Sequence, residues 1–345
     1  MRFALVVCWL ACACAPTRAR YDGVARAIAN GDAPKTTSVL VLRGEAVEYE
    51  RYFADATADT LHDTRSATKS LTALAVGIAV DRHALPGIAA PAFSYLSELA
   101  PFAHDGPLKT AITVEDLLTM SSALDCDDDD AASPGNEENM YPQQAWARWA
   151  VDLAVRADYR RDATGRGPWH YCTAGVFLLG QIVQRAARQP IDRFFAEHLF
   201  APLGITAWEF SKSPSGEIMT GGGLRLRSRD LAHLGRLMLT DGTWAGRQVV
   251  PAAFVRAALT VHRDAKPEQH YGYLWWTRDY KTPCGTATGW VMGGNGGNAI
   301  VVFRELDAVV VVTRTNYNTR GMHQQTTRLI EDQILPELAC KRQDR

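Results

Sequence analysis

Apolar side chains follow three patterns along this chain. Leu71, Ala73, Leu74, Ala75, Val76, Ile78, Ala79 and Val80 run nearly all the way round a helical repeat, which predicts a helix buried on every side. Before it, residues 38–43 and 46–53 flank Gly44-Glu45 and predict an early hairpin, preceded by a short helix at 21–29 that stops at Asn30-Gly31. After it comes a helical middle. Residues 113–120 predict a short helix with Thr113 and Glu115 near its start. Residues 144–156, 174–188, 191–199, 228–239 (capped by Ser228) and 251–259 predict the others. A polar loop fills 121–139 and Gly221-Gly222-Gly223 reads as a turn. The tail changes period: 271–278, 286–292, 298–304 and 308–315 read as strands, and 326–338 as a closing helix.

Strands at both ends with helices between them predict an α+β fold. One antiparallel β-sheet is built from both chain ends and flanked by helices, with an inserted, mostly α-helical lobe. The sheet lobe is placed at about residues 21–85 and 240–345, the helical lobe at about 86–239.

Composition narrows the function classes. A chain of 345 residues with 47% hydrophobic positions and a formal net charge of −1 buries a sizeable core. It carries no basic cluster interleaved with aromatics, so nucleic acid is not an expected partner. The first 20 residues read as an export signal: Arg2, an apolar run over 3–10, then small Ala11, Ala13 and Ala15. A lipoprotein signal ending at Cys12 or Cys14, giving a membrane lipid anchor, is the alternative. A periplasmic or secreted location follows from either. Cys126, Cys172, Cys284 and Cys340 remain beyond the signal, and four cysteines allow three disulfide pairings. No Cys-x-x-Cys or His-x-x-x-His occurs in the mature region, so no zinc site is expected.

Candidate chemistry begins at Arg65-Ser66-Ala67-Thr68-Lys69. Ser66 and Lys69 are three apart, one turn from each other on a helix. A lysine in the first turn of a buried helix is costly unless it is paired or used. A hydroxyl beside an amine is the Ser-x-x-Lys arrangement of acyl-transfer enzymes. Such a nucleophile needs a proton partner and an oxyanion site. Tyr171, just before the 174–188 helix, is the candidate phenol, and an adjacent ammonium is expected to lower its pKa. The glycine-rich stretch Met292-Gly293-Gly294-Asn295-Gly296-Gly297-Asn298 is the candidate sheet edge, because glycines there permit close approach.

The ordered set Ser66-x-x-Lys69, Leu117-Leu118-Thr119-Met120-Ser121-Ser122, Tyr171-Cys172-Thr173, Gly221-Gly222-Gly223-Leu224 and Gly294-Asn295-Gly296-Gly297 resembles the serine β-lactamase and penicillin-binding-protein superfamily. It is most similar to the class C β-lactamase-like branch of hydrolases, esterases and 6-aminohexanoate-oligomer hydrolases, over about residues 35–335. The resemblance implies an acyl-enzyme on Ser66, proton traffic shared by Lys69 and Tyr171, and an oxyanion hole from the N–H groups of Ser66 and Asn298. Asn295, Gly296, Gly297 and Thr173 are its implied substrate-binding positions. It implies no metal or organic cofactor.

Two departures from the family pattern matter. Thr173 stands where Asn or Ser is usual. Asn295-Gly296-Gly297 stands where β-lactamases and peptidases open with Lys, which removes a cation for a substrate carboxylate and favours esters or amides lacking one. Tyr271, Tyr273, Trp275 and Trp276 divide between a pocket lining and sheet core. If the stretches around Cys126 and Cys172 border one cleft, those cysteines pair and lock Tyr171, leaving Cys284 with Cys340. The acidic run 127–130 reads as a solvated or capping run rather than a calcium site, and His170 as a locally bonded loop residue. The expectation is an exported serine hydrolase acting on a small-molecule ester or amide. The alternatives are a D-amino-acid peptidase or weak β-lactamase, and a non-catalytic penicillin-binding sensor.

Overall fold

The computed structural model describes residues 20–339. The export segment with Cys8, Cys12 and Cys14, and Cys340, lie outside the described residues. The main sheet comprises β1 (Thr36–Arg43), β2 (Ala46–Tyr52), β3 (Arg263–Lys266), β4 (Gln269–Tyr271), β5 (Trp276–Thr282), β6 (Gly285–Gly294), β7 (Asn298–Phe303) and β8 (Ala308–Arg314). Its spatial order is β2-β1-β8-β7-β6-β5-β4-β3, every pair antiparallel. Strands from the two ends of the chain therefore meet within one sheet, where β1 pairs with β8 one strand in from the β2 edge.

The central strands read as continuous apolar runs because both of their faces are covered. Val39, Val41, Val301, Phe303, Val310 and Val312 point to one face, with α1 (Asp22–Ala29) and the closing helical segment at Leu329, Ile330, Ile334 and Leu335. Leu40, Leu42, Ile300, Val302, Val309 and Val311 point to the other. There lie α2 (Thr68–Asp81), buried from Thr68 to Ala79, and α4 (Ser228–Leu239) directly on the sheet, with α3 (Thr173–Ala187) packed on α2. Gly235 lets α4 come close to the sheet, since a Cβ there would lie 2.5 Å from Val309 Cγ1.

The inserted lobe packs α3 against α2, with the segment 220–223 threaded between them. Thr72 Oγ1 donates to Thr220 O (2.7 Å), and Thr220 Oγ1 donates to Val176 O (3.3 Å). The Gly221 stretch is thus a wedge between two buried helices, not a free turn. α5 (Met322–Leu329) begins the closing helical segment and borders the glycine-rich hairpin between β6 and β7.

Several elements differ from the sequence expectation, each for a non-local reason. The strand expected over 271–278 is two strands, β4 and β5, broken where Leu274 takes a positive φ of 58°. That break is held from outside: Leu274 N–H donates to Leu118 O (3.0 Å) and Ser70 Oγ donates to Leu274 O (2.6 Å). The helix expected over 144–156 spans only Trp146–Val151, because the Glu217 carboxylate, distant in sequence, accepts from Trp146 N–H and Ala147 N–H (2.6 and 3.1 Å) and caps it there. Ser228 does not cap α4; its buried hydroxyl bonds Ser38 Oγ on β1 instead. The short strand β3 carries no periodic signal of its own.

Candidate active site

Ser66 sits on a single 3₁₀ turn, Arg65–Ala67, that leads into α2. Arg65 holds a positive φ of 52°, a backbone conformation that costs a non-glycine residue about 1 kcal/mol or more. Its surroundings over-determine it. Arg65 N–H donates to Asp63 Oδ1 (3.0 Å), and its guanidinium lies over the Tyr317 ring (4.3 Å). The Tyr317 hydroxyl in turn donates to Asp63 O (3.0 Å). One turn further on, Lys69 is 1% exposed. Its Nζ donates to Ser66 Oγ (3.0 Å) and to Gly221 O (2.6 Å). The wedge at Gly221 therefore supplies the acceptor that makes burial of this amine affordable.

Tyr171 reaches the same point from the other lobe. It lies in an extended segment just before α3 that is fastened on both sides. His170 N–H donates to Met120 O (2.8 Å), and Asp128 N–H donates to Tyr171 O (2.7 Å). Thr173 N–H donates to Asp128 Oδ2 (2.7 Å), and Cys126 is disulfide-bonded to Cys172, with Cα atoms 5.4 Å apart. The Tyr171 ring lies 4.9 Å from Lys69 Nζ, and Tyr171 lines the same cleft as Ser66. The phenol pKa is raised, opposite to the sequence expectation. Burial dominates and outweighs the opposing pull of Lys69 and Ser66.

The third stretch is only partly where the sequence placed it. β5 pairs with β6 no further than Trp276 opposite Val291, so the last residues of β6 present an open edge. That edge abuts the Ser66 turn: a Cβ on Gly294 would lie 1.9 Å from Thr64 O and 3.2 Å from Ala67 N. Asn298 lies one strand further away, on β7. Its side chain locks the hairpin, with Oδ1 accepting from Arg314 N–H (2.9 Å) and Nδ2 donating to Asn295 O (2.7 Å). Asn295 lines the cleft and is tied to Asn318, whose N–H it accepts (2.8 Å).

Gly296 and Gly297 do not line the cleft. They turn the hairpin at φ 93° and 86° against Tyr317, Arg314 and Thr326, where a side chain has no room. Thr173 is fully buried, its methyl against Gly221, and is not a cleft residue either. Their sequence-expected substrate contacts are therefore replaced by structural roles.

The cleft between the lobes has a volume of about 390 Å³. Ser66, Tyr171, Gly293, Gly294 and Asn295 line one end. Trp276 lies against Tyr171 (ring centroids 5.6 Å apart) and is the one of the four aromatics at 271–276 that faces it; Tyr271, Tyr273 and Trp275 are core. Asp128 is the functional position the sequence did not single out, being one of four consecutive aspartates. Its Oδ1 accepts from Glu137 N–H (2.8 Å) and its Oδ2 from Thr173 N–H, so it ties the acidic loop to the tyrosine segment. Burial, reinforced by Glu137, raises its pKa to about 6, and Lys69 and Thr173 oppose the rise. Asp130 bonds locally, Asp129 pairs with Lys266 (2.8 Å), and no cluster of metal-binding side chains occurs among the described residues. His170 bonds Asp127 Oδ2 (2.9 Å), 43 residues away, so it ties the tyrosine segment to the acidic loop rather than bonding locally.

An antiparallel sheet whose open edge faces a buried serine–lysine helix, with a helical lobe bringing a tyrosine across the cleft, is the architecture of the β-lactamase/transpeptidase-like class. The chain belongs to the beta-lactamase family, whose model matches residues 24–334. It is 30% identical over 257 residues to a 6-aminohexanoate-dimer hydrolase of Paenarthrobacter ureafaciens, covering 70% of this chain and 64% of that protein's length. Its fold is similar to a D-stereospecific amidohydrolase from Streptomyces sp. (TM-score 0.67, 18% identity, 89% of this chain and 97% of that one). It is also similar to a penicillin-binding protein from Bacillus halodurans (TM-score 0.65, 16% identity, 87% and 96%). The chain is thus a member of the β-lactamase-like superfamily.

Proposed function

We propose that the protein is an exported serine hydrolase that cleaves an ester or amide bond of a small molecule through an acyl-enzyme on Ser66. The observation that carries this reading is the 3.0 Å contact between Ser66 Oγ and Lys69 Nζ, with the Tyr171 ring 4.9 Å from the same amine. In its neutral form Lys69 accepts the Ser66 proton as Oγ attacks the carbonyl carbon. The Ser66 N–H and an N–H on the open edge at 293–295 face the developing oxyanion. The bond from the carbonyl carbon to the leaving oxygen or nitrogen then breaks. Tyr171, kept protonated by its raised pKa, gives that atom its proton and is recharged from Lys69. Water releases the acyl group by the same relay in reverse.

Replacement of the third-motif lysine by Asn295 argues against penicillins as the main substrates. The 6-aminohexanoate-dimer hydrolase relative supports amides as well as esters. The Cys126–Cys172 disulfide supports an oxidising, extracytoplasmic location.

A fluorophosphonate probe is expected to label Ser66, with labelling lost in Ser66→Ala. A panel of p-nitrophenyl esters, nitrocefin and D-Ala-D-Ala peptides then ranks the alternatives. An unlabelled Ser66 overturns the reading, and nitrocefin turnover faster than ester turnover overturns the preference for the esterase-like branch.

A further inference from the structure

The cleft does not end at Ser66. It runs along β5 and β6 toward α5, and its far end is lined by Lys266, Gln269, Arg278, His323, Gln324 and Thr327. Positive charge gathers there. His323 has its pKa lowered first by burial and then by Lys266, Arg314 and Arg278 together, so three cations act on one spot. Lys266 is partly neutralised by Asp129 (2.8 Å) and lies over the Trp276 ring.

Arg278 is the outlier. Its Nη1 makes one long hydrogen bond, to Thr327 Oγ1 (3.4 Å), its guanidinium lies 5.6 Å from the Tyr280 ring centroid, and its Nε is buried without a hydrogen-bond partner. Arg20, Arg43, Arg156, Arg166, Arg227 and Arg263 also leave a buried Nε unbonded, but each of them pairs with a carboxylate. Among the described residues no carboxylate pairs with Arg278. Nearby acids are engaged elsewhere: Asp279 accepts from Thr288 Oγ1 and Glu331 from Lys281 N–H. A half-buried guanidinium in a field of other cations, with a donor left unmet, is costly until an anion arrives.

We infer that Arg278, assisted by Lys266, is a subsite for a carboxylate at the far end of the substrate. A guanidinium's planar fork matches a carboxylate in two parallel hydrogen bonds. Arg278 stands opposite Gly289 in the β5–β6 register, and Gly294 abuts the Ser66 turn. Five residues of strand separate them, about 16 Å at the usual rise. The carboxylate therefore sits at the end of an extended chain, not next to the scissile bond. This restores from β3 and β5 the cation that the third motif lacks, at a different place. It rests on the acyl-enzyme reading and adds the substrate class: linear esters or amides with a terminal carboxylate.

The test compares matched probes. On the acyl side these are mono-p-nitrophenyl adipate and suberate against p-nitrophenyl hexanoate and octanoate. On the leaving-group side they are acetyl esters of 4-hydroxyphenylalkanoic acids against their methyl esters. Wild-type enzyme is expected to prefer the anionic member of at least one series by KM. Arg278→Met should cost that member about tenfold to a hundredfold in kcat/KM and spare the neutral one, with Arg278→Lys in between and the preference weakening with salt. Absence of any anionic preference in both series, or a preference that survives Arg278→Met, overturns the subsite. Neutral-ester turnover and fluorophosphonate labelling of Ser66 report separately on the acyl-enzyme reading, so the two failures are distinguishable.

Discussion

Gly294 is where the sheet touches the nucleophile turn most closely, and replacing it with alanine tests whether that contact sets the reaction geometry. The added Cβ would lie 1.9 Å from Thr64 O, against a closest approach of 3.0 Å for real Cβ atoms. Both partners are backbone, so no flexible side chain can yield. β6 and the Ser66 turn must separate by about 1 Å, and a misplacement of that size costs about a hundredfold in rate. Overpacking of this kind also costs about 1–3 kcal/mol of stability. Gly293, its neighbour, is the stability control: a Cβ there meets nothing closer than Trp276 Cδ1 at 3.6 Å. The assay is kcat/KM for p-nitrophenyl acetate and the fluorophosphonate labelling rate of Ser66, with Tm read alongside. Gly294→Ala is expected to lower both rates about a hundredfold and to lower Tm, whereas Gly293→Ala keeps the wild-type Tm. A Gly294→Ala protein that labels and turns over at the wild-type rate would refute the claim that this edge positions the site.

Three further outcomes are expected. Tyr171→Phe removes the proton donor to the leaving group and should lower kcat by about 10²- to 10⁴-fold with KM little changed; a kcat within threefold of wild type would assign the donor elsewhere. Cys126→Ser with Cys172→Ser opens a loop of 46 residues, whose closure is worth about 4 kcal/mol in the chain-entropy model. Tm and kcat should fall together, and mass mapping that finds both cysteines as thiols in the native protein would discard the link. For Asp128, whose pKa is raised to about 6, the carboxylate form predominates above that pH and accepts the Thr173 and Glu137 N–H groups, so activity should rise through about pH 6 and Asp128→Asn should flatten that limb. The stability sign is opposite: folding favours the protonated acid, so this group's contribution is complete below about pH 4 and is lost as pH rises through 6.

Much of this site was legible before any coordinates. The Ser66–Lys69 spacing, the apolar helix behind it and the tyrosine before the next helix are local patterns, and local patterns survive folding. The sequence put the edge contact at Asn298, whereas Gly294 is the residue that abuts the Ser66 turn, because two glycine pairs around Asn295 carry no mark of which one must meet a backbone. Gly294 meets Thr64 O, while Gly296 and Gly297 merely turn the chain. The phenol pKa was misjudged in sign, since proximity to Lys69 shows in a motif whereas depth of burial does not.

By itself, then, the order of residues determined the elements with strong periodicity, the sheet built from both ends and the serine, amine and phenol on which the proposed chemistry rests. Tertiary structure alone decided which of four aspartates clamps Tyr171, which strand end opens toward Ser66, and that Arg278 on a distant strand shares the same cleft. The physical reason is the same in each case. Helix and strand periods are set by neighbours within a few residues. Burial, free strand edges and the meeting of charges depend on chain segments that can lie tens to hundreds of residues apart.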